Sequence, residues 1–90
     1  MKSYYDNGQL EFEGEYLNGE LNGKVKEYHN NNNLLFEGEY LNGKRHGKGI
    51  EYYFNNMLYF KGEYFEGKKW NGKGYNMKGE LIYELKNEGI

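Results

Sequence analysis

A chain of 90 residues with a net charge of −2 accommodates one domain and has no general electrostatic attraction for nucleic acid or acidic membranes. Only 37% of its residues are hydrophobic but 19% are aromatic, and it has 14 Gly, no Pro and no Cys. Disulfide bonds and thiolate metal sites are therefore excluded, and no apolar run approaches the roughly 20 residues of a membrane-spanning helix. Because no secretory leader precedes the first repeat, we expect a cytoplasmic protein.

The N-terminal segment has the pattern of a β-hairpin. Two tyrosines precede Asp6-Asn7-Gly8, a turn sequence that favours positive φ. Over residues 10–16 apolar or small residues then alternate with Glu, which is typical of a half-buried strand. The alternation predicts that one face of this strand carries Leu10, Phe12, Gly14 and Tyr16.

The same strand returns twice along the chain. FEGEYLNG at 12–19 recurs unchanged at 36–43 and as FKGEYFEG at 60–67, a period of 24 residues. A fixed period of this size indicates a repeat protein, in which each unit buries its apolar face against its neighbours. Short turns follow every strand, so sequential strands should pair as an all-β antiparallel meander. We divide the single domain, 1–90, into a part-unit 1–11, repeats 12–35, 36–59 and 60–82, and a C-terminal part-unit 83–90.

Each repeat carries a glycine in mid-strand, at Gly14, Gly38 and Gly62. Because glycine in a strand costs about 0.5–1 kcal/mol relative to Ala, we expect an aromatic ring from a neighbouring strand to lie across the bare backbone there. The last part of the chain departs from the pattern: Trp70 comes with one extra residue, and Leu85 replaces the mid-strand glycine. Atypical terminal units are expected because they cap the array.

The aromatic residues of the repeated strands fall in one column, and two roles are open for them. They could line a groove that grips a peptide, or they could form the internal packing of the sheet, since burying such a ring contributes roughly 1.5–3 kcal/mol. Tyrosine is the better candidate for contact with a partner, because its hydroxyl prefers a wet edge. Trp70, in a predicted loop, is either an exposed anchor or a cap over the last hairpin. The candidate partner-binding residues are Tyr16, Tyr40, Tyr64 and Trp70.

Basic residues gather at the turns that follow the second and third repeated strands. In a meander these turns line up along one edge of the sheet, where they could bind phospholipid headgroups at about 1 kcal/mol per basic residue. The alternative is a solvated face of cross-strand charge pairs that keeps the sheet soluble, and the Glu-rich strands and the first turn, Glu20-Leu21-Asn22, favour it. The candidate phospholipid-binding residues are Lys44, Arg45, Lys48, Lys68, Lys69 and Lys73.

Catalysis finds no support in the sequence. The two histidines, His29 and His46, do not have a metal-ligand spacing, and the one serine, Ser3, lies near the N-terminus. No glycine-rich run opens a helix to cradle a phosphate, and acidic residues interleave with the aromatic ones. We therefore expect no enzyme, no metal or other cofactor, no small-molecule substrate and no nucleic-acid partner.

The segment FEGEYLNGKRHGKG at 36–49 closely resembles the MORN (membrane occupation and recognition nexus) repeat: an aromatic-x-Gly-x-aromatic strand, an Asn-Gly turn, then Lys-x-x-Gly-x-Gly. The neighbouring segments resemble the variant common in bacterial multi-repeat proteins. The resemblance implies an elongated, twisted, single-layer sheet. Departures from the pattern are Val25 in place of the glycine at Gly49, and tyrosine where many members have tryptophan, at Tyr16, Tyr40 and Tyr64.

The resemblance also implies non-catalytic roles: scaffolding, binding of a protein partner, self-association and, for some members, binding of acidic phospholipids. We expect an interaction module for a protein partner or for a second copy of the chain, with a homodimer through sheet edges or faces. A peripheral phospholipid-binding module that uses the basic turns is the alternative.

Overall fold

The computed structural model describes residues 2–87, so Met1 and residues 88–90 of the predicted C-terminal part-unit lie outside it. The described chain forms one eight-stranded antiparallel sheet in which every strand pairs with its neighbours in sequence, as predicted. This single layer measures 35 × 32 × 14 Å. The part of the chain that the structure describes contains no helix that could span a membrane. The strands are β1 (Lys2–Tyr4), β2 (Leu10–Leu17), β3 (Glu20–Tyr28), β4 (Leu34–Leu41), β5 (Lys44–Tyr52), β6 (Leu58–Phe65), β7 (Lys68–Tyr75) and β8 (Leu81–Leu85).

Two-residue turns join β2 to β3, β4 to β5 and β6 to β7, and we call this side of the sheet the short-turn edge. Both residues of each turn have positive φ, for example 53° at Asn18 and 81° at Gly19. Such turns match the right-handed twist of the flanking strands, which is why Asn-Gly is favoured there. The third turn has Glu66 with φ 49°, so a glutamate takes a conformation that the other repeats give to Asn.

Longer turns occupy the opposite side, the long-turn edge, and share one hydrogen-bond pattern. In the second of them the His29 N–H donates to the Asn33 carbonyl at 2.8 Å, and the Asn31 side-chain oxygen accepts from the Asn33 N–H at 3.0 Å. Asn32 takes the positive φ of 73°. Asn tolerates this conformation and bonds its own backbone, so the run of asparagines is turn chemistry, as predicted.

A β-bulge near the start of the repeated strands changes the predicted alternation. Leu34 pairs with Tyr28 and Phe36 with Glu27, so one extra residue, Leu35, stands between the two pairs. The Tyr28 hydroxyl donates to Glu13 at 2.9 Å, on the face opposite to Phe36. The prediction that the first leucine of the strand, here Leu34, shares a face with the phenylalanine was therefore wrong. The extra residue of the bulge places Leu34 on the opposite face.

The two faces of the sheet have different chemistry. The aromatic face carries the repeat phenylalanines, with Phe36 and Phe60 fully buried and Tyr64 4% exposed. The charged face, on the other side, carries cross-strand rows of Glu and Lys, including a Lys26–Glu37 ion pair at 3.7 Å.

The mid-strand glycines make room for the buried rings. A Cβ built on Gly38 would lie 2.7 Å from the Phe36 Cζ atom and 2.6 Å from the Gly49 backbone. At Gly49 a Cβ would lie 2.6 Å from the Phe36 ring. These distances are too short for any side chain, so the ring lies across bare backbone. The predicted origin of the ring was wrong at Gly38, because Phe36 belongs to the same strand, β4; at Gly49 the ring does come from the neighbouring strand.

Candidate functional site

Arg45 lies on the aromatic face and is enclosed by side chains of three strands. Its guanidinium lies 4.1 Å from the centroid of the Phe36 ring and bonds Glu27 at 3.0 Å and Glu51 at 3.2 Å. The Arg45 side chain is only 20% exposed. A planar guanidinium suits this place because it can stack on a ring and bond carboxylates at the same time. Arg45 therefore holds the sheet together and presents little charge to a ligand.

Two of the three predicted contact tyrosines use their hydroxyls inside this network. The Tyr40 hydroxyl donates to Glu27 at 2.8 Å, and the Tyr64 hydroxyl donates to Glu51. Burial first, and then the charge of Glu27, raises the pKa of Tyr40 to about 12. Burial and the hydrogen bond to Glu51 also raise the pKa of Tyr64. These phenols are committed to the fold as neutral donors.

Tyr16 has a different environment from its two counterparts. The position that Glu27 and Glu51 hold in the other repeats is occupied by Ser3, whose hydroxyl donates to Glu11 at 2.9 Å. Tyr16 itself is half-buried. Of the three tyrosines, Tyr16 is the one whose hydroxyl has no carboxylate partner within residues 2–87.

Lys69 takes the place of Arg45 in the third repeat. Its ammonium lies 4.2 Å from the Tyr59 ring centroid and donates to the hydroxyls of Tyr59 at 3.1 Å and Tyr83 at 3.4 Å. In the first repeat the same position is Leu21, which pairs with Tyr16. One repeat position thus holds Leu, Arg or Lys on the aromatic face.

The other basic residues of the predicted phospholipid stripe lie in two further places. Lys44 and Lys68 are exposed at the short-turn edge, whereas Lys48 and Lys73 are exposed on the charged face. Successive side chains of a strand point to opposite faces, so residues close in sequence separate in this way. The structure therefore does not bring the six basic residues together.

Trp70 lies within β7 and not in the predicted loop. It is half-buried, and its ring centroid is 5.2 Å from that of Phe65, which in turn lies 5.3 Å from His46. The indole N–H is buried without a hydrogen-bond partner among the residues that the structure covers. This placement agrees better with packing over the last hairpin than with an exposed anchor.

A groove that the sequence did not predict extends from β1 to β5 on the charged face. It encloses about 690 Å³, and the backbone of Gly14, Gly38 and Gly49 forms part of its lining. The strip between two rows of charged residues stays open because residues at these positions are directed to the aromatic face, where a Cβ on Gly38 or Gly49 would meet the Phe36 ring. The alternation of charged residues along the strands was the signal in the sequence, but the curvature that makes the groove could not be derived from it.

The charges along this groove are unevenly paired. Glu39 accepts a hydrogen bond from the Lys48 backbone N–H at 3.0 Å, and Glu15, just outside the groove, accepts one from the Lys24 backbone N–H at 2.9 Å. The ammonium groups of Lys24 and Lys48 form no ion pair with residues 2–87. Ile50 adds an apolar side chain to the wall, at the register position where Lys26 stands in the preceding repeat. The groove therefore carries lysines and glutamates in its lining, with two unpaired ammonium groups and one apolar contact point.

A second feature missed from the sequence ties neighbouring hairpins together at the long-turn edge. Tyr5, His29 and Tyr53 are spaced 24 residues apart, and each bonds a backbone carbonyl of the next hairpin. His29 Nε2 lies 2.9 Å from the Tyr52 carbonyl, so this nitrogen carries the proton. The regular spacing was the available signal, and the role of these residues is structural.

Comparison with known families agrees with this geometry. Residues 36–57 match the MORN repeat, and residues 1–18 and 21–42 match the MORN repeat variant. The chain belongs to the MORN repeat family. MORN repeats are known as interaction and membrane-associated modules, and the family is non-catalytic. No curated protein gave a match to the chain. Neither family match includes the third hairpin, β6–β7, although it repeats the MORN geometry.

Proposed function

We propose that this MORN array is a non-catalytic module that binds an extended segment of a partner protein in the groove on its charged face. The observation that carries the proposal is the groove itself, because it is open along its length and lined by backbone, charge and one aliphatic side chain. Such a lining suits a slender chain that crosses the strands. The aromatic face is less suitable, because its rings and phenols already bond each other and the enclosed carboxylates.

The unpaired ammonium groups of Lys24 and Lys48 favour a partner segment with acidic residues. Opposite charges across an interface speed association and select the register of binding. Ile50 stands within one charged row, next to Glu37, and provides a place for one apolar side chain of that segment. The groove is therefore matched to an acidic segment with an isolated hydrophobic residue.

Selection from a displayed library of random peptides tests this proposal. We expect enrichment of acidic sequences, and we expect Lys24→Glu with Lys48→Glu to weaken the selected peptide by about tenfold or more. The matched control is Lys44→Glu with Lys68→Glu, which changes the same charge at the short-turn edge, outside the groove. Enrichment of peptides that bind both variants equally well, or no enrichment at all, would contradict the proposal.

Peripheral binding to anionic phospholipid is the second candidate, because MORN repeats include membrane-associated modules and Lys44 and Lys68 are exposed together at one edge. Co-sedimentation with phosphatidylserine vesicles tests it with the same two variants. Lipid binding requires that Lys44→Glu with Lys68→Glu reduce co-sedimentation, and that added salt reduce it as well. If only Lys24→Glu with Lys48→Glu reduced co-sedimentation, lipid binding at the short-turn edge would be contradicted.

A further inference from the structure

The exposed large hydrophobic residues are concentrated at one corner of the sheet. Three of those within residues 2–87 lie elsewhere: Tyr4 in β1, and Leu17 and Leu41 at the short-turn edge. Five others belong to the last two long turns and the start of β8, where their exposed fractions run from 36% at Met57 to 56% at Ile82. Exposed apolar clusters of this kind mark interaction sites in soluble proteins. We call this cluster the apolar corner; it consists of Phe54, Met57, Met77, Leu81 and Ile82.

The turns themselves do not require apolar residues at these positions. Phe54 occupies the repeat position of Asn30, and Met57 that of Asn33. The backbone bonds are the same in both turns: Tyr53 N–H to the Met57 carbonyl at 2.8 Å, and His29 N–H to the Asn33 carbonyl at 2.8 Å. One protein thus builds the same turn with polar and with apolar residues. The apolar residues at these positions therefore have a role other than forming the turn.

A further hairpin of the same repeat geometry cannot cover this corner. Leu85 stands at the position of Gly38 and Gly62, where a Cβ would lie 2.6 Å and 2.0 Å from backbone atoms of the next strand. A strand paired with the free side of β8 in the repeat register would meet the Leu85 side chain. A molecule that covers the apolar corner must therefore bind there in another way than as a further repeat of the array.

We propose that the occupant is a second copy of this chain, packed corner to corner about a two-fold axis. The same patch then meets itself, which is the commonest symmetry of soluble oligomers. The five side chains are uncharged, so this contact brings no like charges together. Lys78 and Glu80 flank the corner in the last turn, and the two-fold axis can place Lys78 of one copy beside Glu80 of the other. The two methionines adapt their shape easily to such a contact.

A membrane is less suited to this corner than a second copy. Membrane-binding surfaces surround their apolar residues with an excess of Lys and Arg. Here Lys78 and Lys86 are accompanied by Glu80 and Glu84, so the rim carries both signs. This mixed rim favours a protein surface that carries the same two charges.

Sedimentation equilibrium over a range of protein concentrations tests the proposal. We expect the wild-type chain to approach twice the monomer mass, and Phe54→Asn with Met77→Asn to weaken dimerisation by about tenfold or more. The Asn30 turn shows that this fold accepts asparagine at the position of Phe54. The matched control, Leu17→Asn with Leu41→Asn, removes two other exposed hydrophobic residues and should leave the dimer intact.

A charge exchange tests the two-fold arrangement. Lys78→Glu alone should weaken the dimer, and Lys78→Glu combined with Glu80→Lys should restore it. A wild-type chain that stays monomeric at its highest soluble concentration would overturn the proposal. So would a dimer that the corner variant leaves unchanged while circular dichroism shows both proteins folded. A monomer that co-sediments with phosphatidylcholine vesicles would also overturn it and assign the corner to a membrane.

Discussion

The first two hairpins begin with the same eight residues and end in different environments. Phe12 is half-buried, whereas Phe36 is fully buried, although FEGEYLNG surrounds both. The return strands differ at two positions: β3 has Val25 where β5 has Gly49, and Leu21 where β5 has Arg45. The Arg45 guanidinium lies over the Phe36 ring at 4.1 Å from its centroid. Identical repeated strands therefore do not have identical environments, because the partner strand decides how deeply the shared phenylalanine is buried.

The largest expected effect comes from making the second hairpin resemble the first. Gly49→Val adds a side chain whose Cβ would lie 2.6 Å from the Phe36 ring and 2.9 Å from Tyr64. We expect a loss of about 3 kcal/mol in the free energy of unfolding, measured by urea denaturation, because overpacking displaces both rings.

Val25→Ala is the control for this prediction. It removes two methyl groups from the first hairpin and should cost about 1.5 kcal/mol through lost burial alone. If Gly49→Val costs no more than Val25→Ala, the contrast between the two return strands does not control the burial of phenylalanine.

The next largest effect concerns the position that holds Leu21 in the first repeat and Arg45 in the second. Arg45→Leu leaves Glu27 and Glu51 without their cation and should lower the free energy of unfolding by about 2 kcal/mol. Arg45→Lys should recover part of the loss, since Lys69 fills the equivalent place in the third repeat. A fully stable Arg45→Leu variant would show that the ion pairs contribute nothing net.

Ionisation of Tyr40 should weaken the second repeat at high pH. The pKa of Tyr40 is raised to about 12, so the folded state favours the neutral phenol more than the unfolded state does. This contribution is complete below about pH 10, the ordinary tyrosine pKa, and is lost as pH rises towards the folded value.

Urea denaturation at a series of alkaline pH values measures this effect. Stability should fall above about pH 10 in the wild type, and less steeply in Tyr40→Phe. Tyr16→Phe, in the first repeat, is the control, because the Tyr16 hydroxyl has no carboxylate partner within residues 2–87. Equal slopes for all three proteins would exclude the Tyr40–Glu27 bond as the cause.

The smallest effect concerns the carbonyl-bonding ladder at the long-turn edge. His29→Tyr should change stability by less than about 0.5 kcal/mol, because Tyr5 and Tyr53 make the same type of bond in the flanking hairpins. His29→Phe keeps the ring but loses the donor and should cost about 1 kcal/mol. Thermal melts of the two variants would distinguish them, and identical melts would show that the bond is dispensable.

The strands, turns and meander could be predicted because each rests on local chemistry. Asn-Gly sets the short turns, Asn-rich segments set the long ones, and alternation marks the strands. The bulge beside Leu35 could not be predicted, since it depends on how two strands share register and not on the residue itself. Missing it placed the strand-opening leucines on the wrong face.

The site was less accessible from sequence than the fold. The two-residue turn after Tyr40 places Arg45 opposite it on the same face, yet grouping basic residues by proximity in sequence hid this pairing. The groove depends on the curvature of five strands, which no single repeat reveals. The apolar corner was visible as a change from Asn30 to Phe54 between repeats, but the exposure of Phe54 required the structure.

The most direct test of the central claim is a map of where a selected acidic peptide contacts the chain. In a two-dimensional ¹⁵N NMR titration, we expect shift changes at the groove residues Lys24, Glu39 and Ile50. We expect little change at Phe60 on the aromatic face or at Met77 in the apolar corner. Changes centred on the aromatic face or the corner, with the groove unaffected, would contradict the assignment of the groove as the binding site.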